Sequence, residues 1–408
     1  MTKIPKIKFE GFSDKWDVKP LSKIVSISLR PVEKPNKPYW RLGLRSHYKG
    51  TFHELVKNPE DVNMDTLYQV RDKDLIVNIT FAWEHAIAIA NSEDEGKLVS
   101  HRFPTYEFNH NIALPEFYRQ YLKHPLIKYK LSNASPGGAG RNRVLNKKEF
   151  LKIEVPVPSI NEQQKIASFL SLLDKKIEKQ TKKIEQLGVF KKGMLQKLFS
   201  QEIRFKDDNG EEFPTWEEYY LDEIGSFKNG INKDSSDFGH GTPFVNLMDV
   251  FGKTCLFNID FGLVKANDKE LKESNLQKGD VLFIRSSVKP TGVGQTCVIM
   301  EDLPLTTYSG FLIRFREHSN KSMDNNYKKY VFYNPTFRKQ LLAKSTISAN
   351  TNINQESLKK LKIKVPTIRE QQKVGGFLTA IDSKIEKNHE KLKSLVELKK
   401  GLLQQMFL

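Results

Sequence analysis

Four short segments hold residue types used by phosphate-binding, methyl-transferring or nucleolytic sites. VFGKT (Val250–Thr254) ends as a phosphate-binding loop does, but Leu247 stands where that loop needs its first glycine. NPTF (Asn334–Phe337) approaches the N-P-P-Y/F of adenine methyltransferases, yet no strand–Gly-loop–helix unit for a cofactor precedes it. FGHG (Phe238–Gly241) does not follow an apolar strand, as a nucleotide-binding glycine turn would. ELK (Glu270–Lys272) matches only the end of a D…ExK nuclease pattern, a frequent coincidence in a chain that is 28% charged. The nine histidines include no HxxxH or HExxH pair, and Cys255 and Cys297 offer neither zinc spacing nor a disulfide framework. Catalysis, a metal site and a cofactor site are therefore not expected in this chain.

A second set of residues suits recognition rather than reaction. Five Gly- or Asn-rich segments interleave basic residues: RLGLRSHYKG with Arg41, Arg45 and Lys49; SPGGAGRNR with Arg141, Asn142 and Arg143; KNGINK with Lys228 and Lys233; RSSVKPTGVG with Arg285 and Lys289; and KSTISANTN with Lys344, Asn350 and Asn352. Arg and Lys can pair with guanine edges and Asn with adenine, and all of them can hold phosphates. Any one such loop is as readily a solvated turn. SPGGAGRNR and KSTISANTN stand apart because each precedes a long helical segment at an equivalent place, with Asn142 matching Asn350.

Those loops need a scaffold, and 408 residues allow two or three domains to supply it. The net charge of +17 is unevenly spread: +8 over residues 1–150, +5 over 151–200, −3 over 201–357 and +7 over 358–408. One globular segment is thus acidic overall, which disfavours a uniform charge-driven nucleic-acid sponge. The densest apolar run, around Ala86–Ala90, is far too short to span a membrane, and MTKIPKIKFEGF lacks a signal-peptide core. A cytoplasmic protein is expected.

An internal duplication organises the chain. Pro158–Phe199 matches Pro366–Phe407 without a gap at an offset of 208, and half of the 42 positions are identical. A fainter echo opens each half: Trp16, Leu21 and Ile24 answer Trp216, Leu221 and Ile224. The order is variable block, repeated segment, variable block, repeated segment, with divisions at 1–150, 151–200, 201–357 and 358–408.

Both repeated segments begin with helix-start chemistry, Ser159 with Glu162 and Thr367 with Glu370, the spacing of a capping box. Apolar residues then recur at spacings of four and three. The first copy has Ile166, Leu170, Leu173, Ile177, Ile184, Leu187, Met194 and Leu198. The second has Val374, Leu378, Ile381, Ile385, Leu392, Leu395, Leu402 and Met406. This is a heptad seam, interrupted at the same places by Gln180/Asn388 and Lys191/Lys399. The narrow seam and charged flanks predict helices of roughly 33 residues, ~50 Å, that pair antiparallel, Ile166 facing Met406 and Leu198 facing Val374. The competing reading buries each helix in its own globular domain.

The variable blocks read as α/β or α+β domains. DLIVNI (Asp74–Ile79), AIAIA, DVLFIR (Asp280–Arg285), TCVIM and FLIRF are strand candidates. Glu116–Tyr129 reads as one helix, and NYKKYVFYNPTFRKQLL as a helical stretch interrupted by Pro335; Tyr118/Tyr121 answer Tyr327/Tyr330. Near-identical helices beside dissimilar blocks imply one scaffold holding two different readers.

On these features the chain resembles the specificity subunit of Type I restriction–modification systems. PSINEQQKIASFL and PTIREQQKVGGFL resemble that family's helix openings, and KKGMLQKLF and KKGLLQQMF its helix ends. KGDVLF (Lys278–Phe283), with KDLIV in the first half, is similar to a strand motif of its target-recognition domains. The resemblance implies two target-recognition domains joined by an antiparallel helical pair in pseudo-two-fold fashion, each reading one part of a bipartite site in double-stranded DNA. It also implies two methyltransferase subunits that bring S-adenosylmethionine, and restriction subunits that use ATP and magnesium, with none of these cofactors bound by this chain. The duplicated tips, Leu195 and Phe199 in one copy and Leu403 and Phe407 in the other, are candidate docking surfaces for those methyltransferases; packing on the chain's own domains is the alternative. Two other functions stay open here, a coiled-coil adaptor that does not read DNA and a self-sufficient modification enzyme.

Overall fold

The computed structural model describes residues 5–137, 143–318 and 323–407. It contains two compact units, one formed by residues 1–181 with 390–408 and the other by 182–389. Each unit therefore holds one variable block with part of each long helix.

In the first unit the strand Asp17–Pro20 pairs antiparallel with Glu154–Val157, which leads into the first long helix. A four-stranded antiparallel sheet, ordered Val25–Ile27, Thr105–Phe108, Leu75–Val77, Ile87–Ile89, forms the floor of the core. A five-stranded sheet carries the hairpin of Tyr39–Leu44 and Thr51–Val56. The helix expected over Glu116–Tyr129 is two helices, Pro115–Tyr121 and Pro125–Asn133. Proline has no N–H and fits the first turn of a helix, so Pro125 opens a new one while the His124 ring accepts from the Leu126 N–H. Tyr106, Phe117, Tyr118 and Phe150 fill the core together with Ile166, Leu170, Leu173, Met406 and Phe407 from the two long helices.

The second unit repeats the entry. Glu217–Tyr220 pairs with Lys362–Val365, which leads into the second long helix. Its main sheet is ordered Gly225–Asn229, Leu312–Glu317, Val281–Ile284, Thr296–Ile299, Cys255–Leu256, so the expected strands DVLFIR, TCVIM and FLIRF are adjacent. Two helices, Asn325–Val331 and Pro335–Lys344, follow, again divided at a proline. Tyr118 and Tyr327 do the same work in their units: each hydroxyl donates to a carbonyl of the strand before a long helix, Pro156 and Lys364 respectively. With predominantly antiparallel sheets and helices grouped apart, the class is α+β.

The long helices span Ile160–Phe199 (40 residues) and Ile368–Met406 (39 residues), about 60 Å each. They are longer than the seam predicts because the polar turn and a half before it, residues 160–165 and 368–373, is helical too. Within the first unit Lys399 binds Asp174; within the second Lys191 binds Asp382 at 2.5 Å. Both ion pairs lie in one antiparallel register, one residue from the pairing expected. Ile166, Leu170, Leu173, Val374, Leu378 and Ile381 are buried because the domain cores cover them as well. Ile177, Ile184, Leu187, Ile385, Leu392 and Leu395 are half-buried, and the polar Gln180 and Asn388 are buried.

The repeated glutamates do not act as capping-box partners. Glu370 accepts two hydrogen bonds from Arg204 and one from the Trp216 indole, and Glu162 faces Lys8 at 3.3 Å. Their neighbours Gln163 and Gln371 are clamps: each donates to the carbonyl of the proline before its helix, and accepts from the Leu114 or Asp324 N–H of its domain. That double use accounts for the duplicated E-Q at Glu162-Gln163 and Glu370-Gln371.

Lys399 lies beside a second lysine. Lys123 also binds Asp174, at 3.0 Å. Burial, then the Lys399 ammonium, push the Lys123 amine down to about 8. Burial favours the neutral acid at Asp174, yet Lys399 and Lys123 hold it below the ordinary carboxylate range. Between roughly pH 8 and pH 10.5 the unfolded chain binds more protons at Lys123 than the folded one, so folding stability rises with pH across that window, by up to ~1.4 kcal/mol per pH unit. The penalty is present in full below the window. Lys123→Met is expected to flatten that rise, measured as urea midpoints of both proteins at about pH 7.5, 8.5 and 9.5; equal slopes in the two proteins contradict this.

Candidate nucleic-acid interface

In the second unit a small antiparallel sheet joins Ser286–Ser287, Thr351–Asn352 and Thr346–Ile347. It brings RSSVKPTGVG beside KSTISANTN, two segments separated by about sixty residues of sequence. The Arg285 N–H donates to Phe311 and its carbonyl accepts from Ile353, so the base of the loop is pinned on both sides. Arg285, Lys289, Lys344 and Asn350 are exposed, and Asn352 is half-buried with its amide donating to the Asn350 carbonyl. Among the described residues no ion pair engages Arg285, Lys289 or Lys344. They are cations aimed at solvent on a structured platform, the arrangement that phosphate and base-edge contacts require.

In the first unit the hairpin of Tyr39–Leu44 and Thr51–Val56 carries Arg41, with Arg45 and Lys49 at its turn. Trp40 and Leu55 are paired across it, 49% and 39% exposed. Gly43 is required there, because a Cβ would sit 2.4 Å from the Phe52 ring that lies across it. Beyond the pairing of Arg41 with Leu98 the hairpin continues as two strands only, narrow enough there to enter a DNA major groove. Arg41 is paired with Glu54 at 2.7 Å, and Arg45 lies over the Phe52 ring and donates to the Thr51 carbonyl, while Lys49 is exposed.

Other expected contacts are engaged elsewhere. Arg143 donates to the carbonyls of Ser135 and Ser132 and to the Ser132 hydroxyl, and it stacks 5.6 Å from the Trp83 ring centroid. It is a clamp on the preceding helix rather than an open reader. Arg141 and Asn142 lie outside the described residues. Lys228 and Lys233 pair with Glu273 and Glu270, each at 2.8 Å. That helix, Asp268–Glu273, comes from the acidic block, and its carboxylates neutralise KNGINK in the free protein.

The tips of the long helices also differ from expectation. Phe407 is fully buried against Trp16, Phe117 and Tyr121. Phe199 packs on Trp216 and Tyr327, and Leu195 and Leu403 are half-buried against the same two cores. Large apolar residues at the last turn find their own domain first: Phe407 is enclosed, while Leu195, Phe199 and Leu403 keep part of their surface open.

The rejected chemical motifs have structural roles. Asn334 caps a helix by accepting from the Phe337 N–H and donates to the Val331 carbonyl, so NPTF is a capped proline start. Glu270 likewise closes a capping box with Asn267. The glycines of FGHG adopt φ of 90° and 101° in a bulged strand, and a Cβ at Gly241 would meet the Val264 carbonyl oxygen at 2.4 Å. After Gly252 the chain enters the strand Cys255–Leu256, not the helix a phosphate-binding loop needs.

Two aspartates of the strand motifs carry a role that the sequence reading missed. Asp74 of KDLIV takes both terminal nitrogens of Arg30 and the Arg71 N–H, and Asp280 of KGDVLF takes two nitrogens of Arg316 and the Gln277 N–H. Both are buried. The arginines come from different places in the two blocks, so only the aspartate and its turn leave a common trace in sequence.

The Type I restriction modification DNA specificity domain matches twice, over residues 14–187 and 214–398. The chain belongs to this family. The Type I restriction enzyme MjaVIII specificity subunit of Methanocaldococcus jannaschii is 27% identical over 350 residues, which are 82% of this chain and 80% of that protein. Two crystal structures share the fold. The Type I restriction–modification S subunit of M. genitalium superposes with a TM-score of 0.56 at 17% identity, covering 100% of this chain and 99% of that one. The HsdS subunit of Thermoanaerobacter tengcongensis gives 0.51 at 18% identity, with 96% of each chain covered. Each specificity-domain match takes in one variable block and most of the long helix that follows it.

Proposed function

We propose that this chain selects the DNA sequence on which a Type I restriction–modification enzyme acts. Each recognition block reads one part of a bipartite site in double-stranded DNA, and the paired helices set the gap between the parts. The observation that carries this reading is the double specificity-domain match, laid over two half-identical helices and dissimilar blocks. The chain is a non-catalytic subunit of the cytoplasm. S-adenosylmethionine belongs to its methyltransferase partners, ATP and magnesium to its restriction partners. A coiled-coil adaptor is disfavoured because it gives no reason for two unlike readers. Mapping methylated adenines in DNA made with the partner methyltransferase present should return one gapped, two-part sequence. A duplex carrying it should bind far more tightly than a scrambled duplex; equal binding restores the adaptor.

The surface for two methyltransferases is better placed about two turns inward from the helix tips. Phe190 and Leu398 occupy equivalent positions of the duplication and are 49% and 51% exposed. Each is followed three residues later, on the same helix face, by a glycine, Gly193 or Gly401, where an added Cβ would meet nothing in the chain. Glycine inside a helix costs ~1 kcal/mol relative to alanine, and internal packing does not require it at either place. Two equivalent apolar steps beside open glycines suit two copies of one partner helix. Phe190→Asp should reduce the bound methyltransferases from two to one in native mass measurements, and Leu398→Asp should do the same. Folded variants that still hold two subunits would exclude this face.

A further inference from the structure

The platform of the second block surrounds an apolar hollow. Met248 and Phe251 come from the short helix and turn at Leu247–Phe251, Val288 from the loop after Ser286–Ser287, and Phe311 from the lead-in to Leu312–Glu317. They are 73%, 45%, 81% and 58% exposed, and they line one depression of about 520 Å³. Gly292 lets the loop settle onto the strand, since a Cβ there would stand 2.2 Å from the Ser287 hydroxyl and 3.3 Å from the Phe251 ring. Lys289 is the only charged residue among those lining it, and the exposed Asn350 stands at its margin.

Four large apolar side chains facing water on a structured platform mark a contact surface. Phosphate and sugar offer them nothing, while Lys289 in the lining, with the exposed Arg285 and Lys344 on the segments that form the same small sheet, favours a polyanion. In a duplex the apolar feature of the major-groove base edge is the C5 methyl of thymine, and the adenine paired with it presents N6 and N7 to an asparagine amide. A side chain that unstacks bases must be a convex wedge; these residues form a concavity. Resting on the DNA-reading function proposed above, we infer that the second block recognises a T·A pair, with the thymine methyl seated in the hollow lined by Met248, Phe251, Val288 and Phe311 and the adenine edge facing Asn350.

The test uses the full chain in complex with its methyltransferase partner and the gapped duplex found by methylation mapping. Each thymine of the two half-sites is replaced in turn by deoxyuridine, which removes the methyl group and nothing else. One such replacement is expected to weaken binding roughly four-fold, the value of one buried methyl. The loss should vanish in Met248→Ser/Val288→Ser, a change at exposed positions that should itself weaken binding of the unmodified duplex by a similar factor, and whose folding is checked by circular dichroism. No deoxyuridine effect at any position, an effect undiminished in the double variant, or a site without T·A pairs overturns the inference while leaving the DNA-reading function intact. Failure of the complex to prefer the gapped duplex over a scrambled one overturns the function itself.

Discussion

Replacing Phe407 by alanine is expected to destabilise the first unit by ~3–5 kcal/mol. The ring is fully buried, with Phe117 and Tyr121 centroids at 5.4 and 5.6 Å and Trp16 at 6.5 Å. Its removal leaves a cavity between Trp16, held just before the strand Asp17–Pro20, and Phe117 on the helix Pro115–Tyr121. Domains are stable by only about 5–15 kcal/mol, so much of the margin is at stake in this one side chain. Phe199→Ala should cost less, because Phe199 is only partly buried between Trp216 and Tyr327. Urea unfolding followed by near-ultraviolet circular dichroism measures both. A Phe407→Ala cost under ~1 kcal/mol contradicts the packing described. Phe407→Asp is for the same reason a folding variant, unsuited to testing partner docking.

The second large effect concerns the spacing of the DNA site. Inserting four residues into both long helices, beside Gln180 and Asn388, should add about one turn, ~6 Å. The insertion points adjoin the ends of the two compact units at Thr181 and His389, away from either domain core. If the paired helices hold the readers apart, the non-specific gap grows by about two base pairs at 3.4 Å each, and both half-site sequences stay the same. Adenine methylation mapping with the inserted variant reads both quantities at once. An altered half-site with an unchanged gap would refute the ruler. A four-residue insertion also shifts the heptad phase, locally unwinding the pair, so some loss of affinity is expected beside the changed gap.

Which parts of this molecule were legible in its sequence follows from how far each signal reaches along the chain. The helices and their register were legible because a heptad repeat is local and was written twice: Asp174–Lys399 and Lys191–Asp382 fall within one residue of the pairing the apolar positions predict. The strands DVLFIR, TCVIM and FLIRF were legible for the same reason, as continuous apolar runs between turn residues. So were the rejected catalytic motifs, since each lacked a neighbour that its chemistry needs. The family likeness rested on the same repeated stretches.

The recognition surface could not be read this way, because whether a cation is free is decided by residues far off in sequence. Lys228, Lys233 and Arg41 look as available as Arg285 and Lys289 until Glu273, Glu270 and Glu54 are placed beside them. Arg143 looks like a reader until Ser132, Ser135 and Trp83 surround it. Composition cannot distinguish Phe407, inside a core, from Phe190, facing water, since both are apolar residues near the end of an amphipathic helix. The helical scaffold is thus determined by the sequence alone through local periodicity. The reading platform, with Lys289 and Asn350 brought to one apolar hollow, is decided only when the sheet at Ser286–Ser287 and Thr351–Asn352 closes and sequence-distant segments come together.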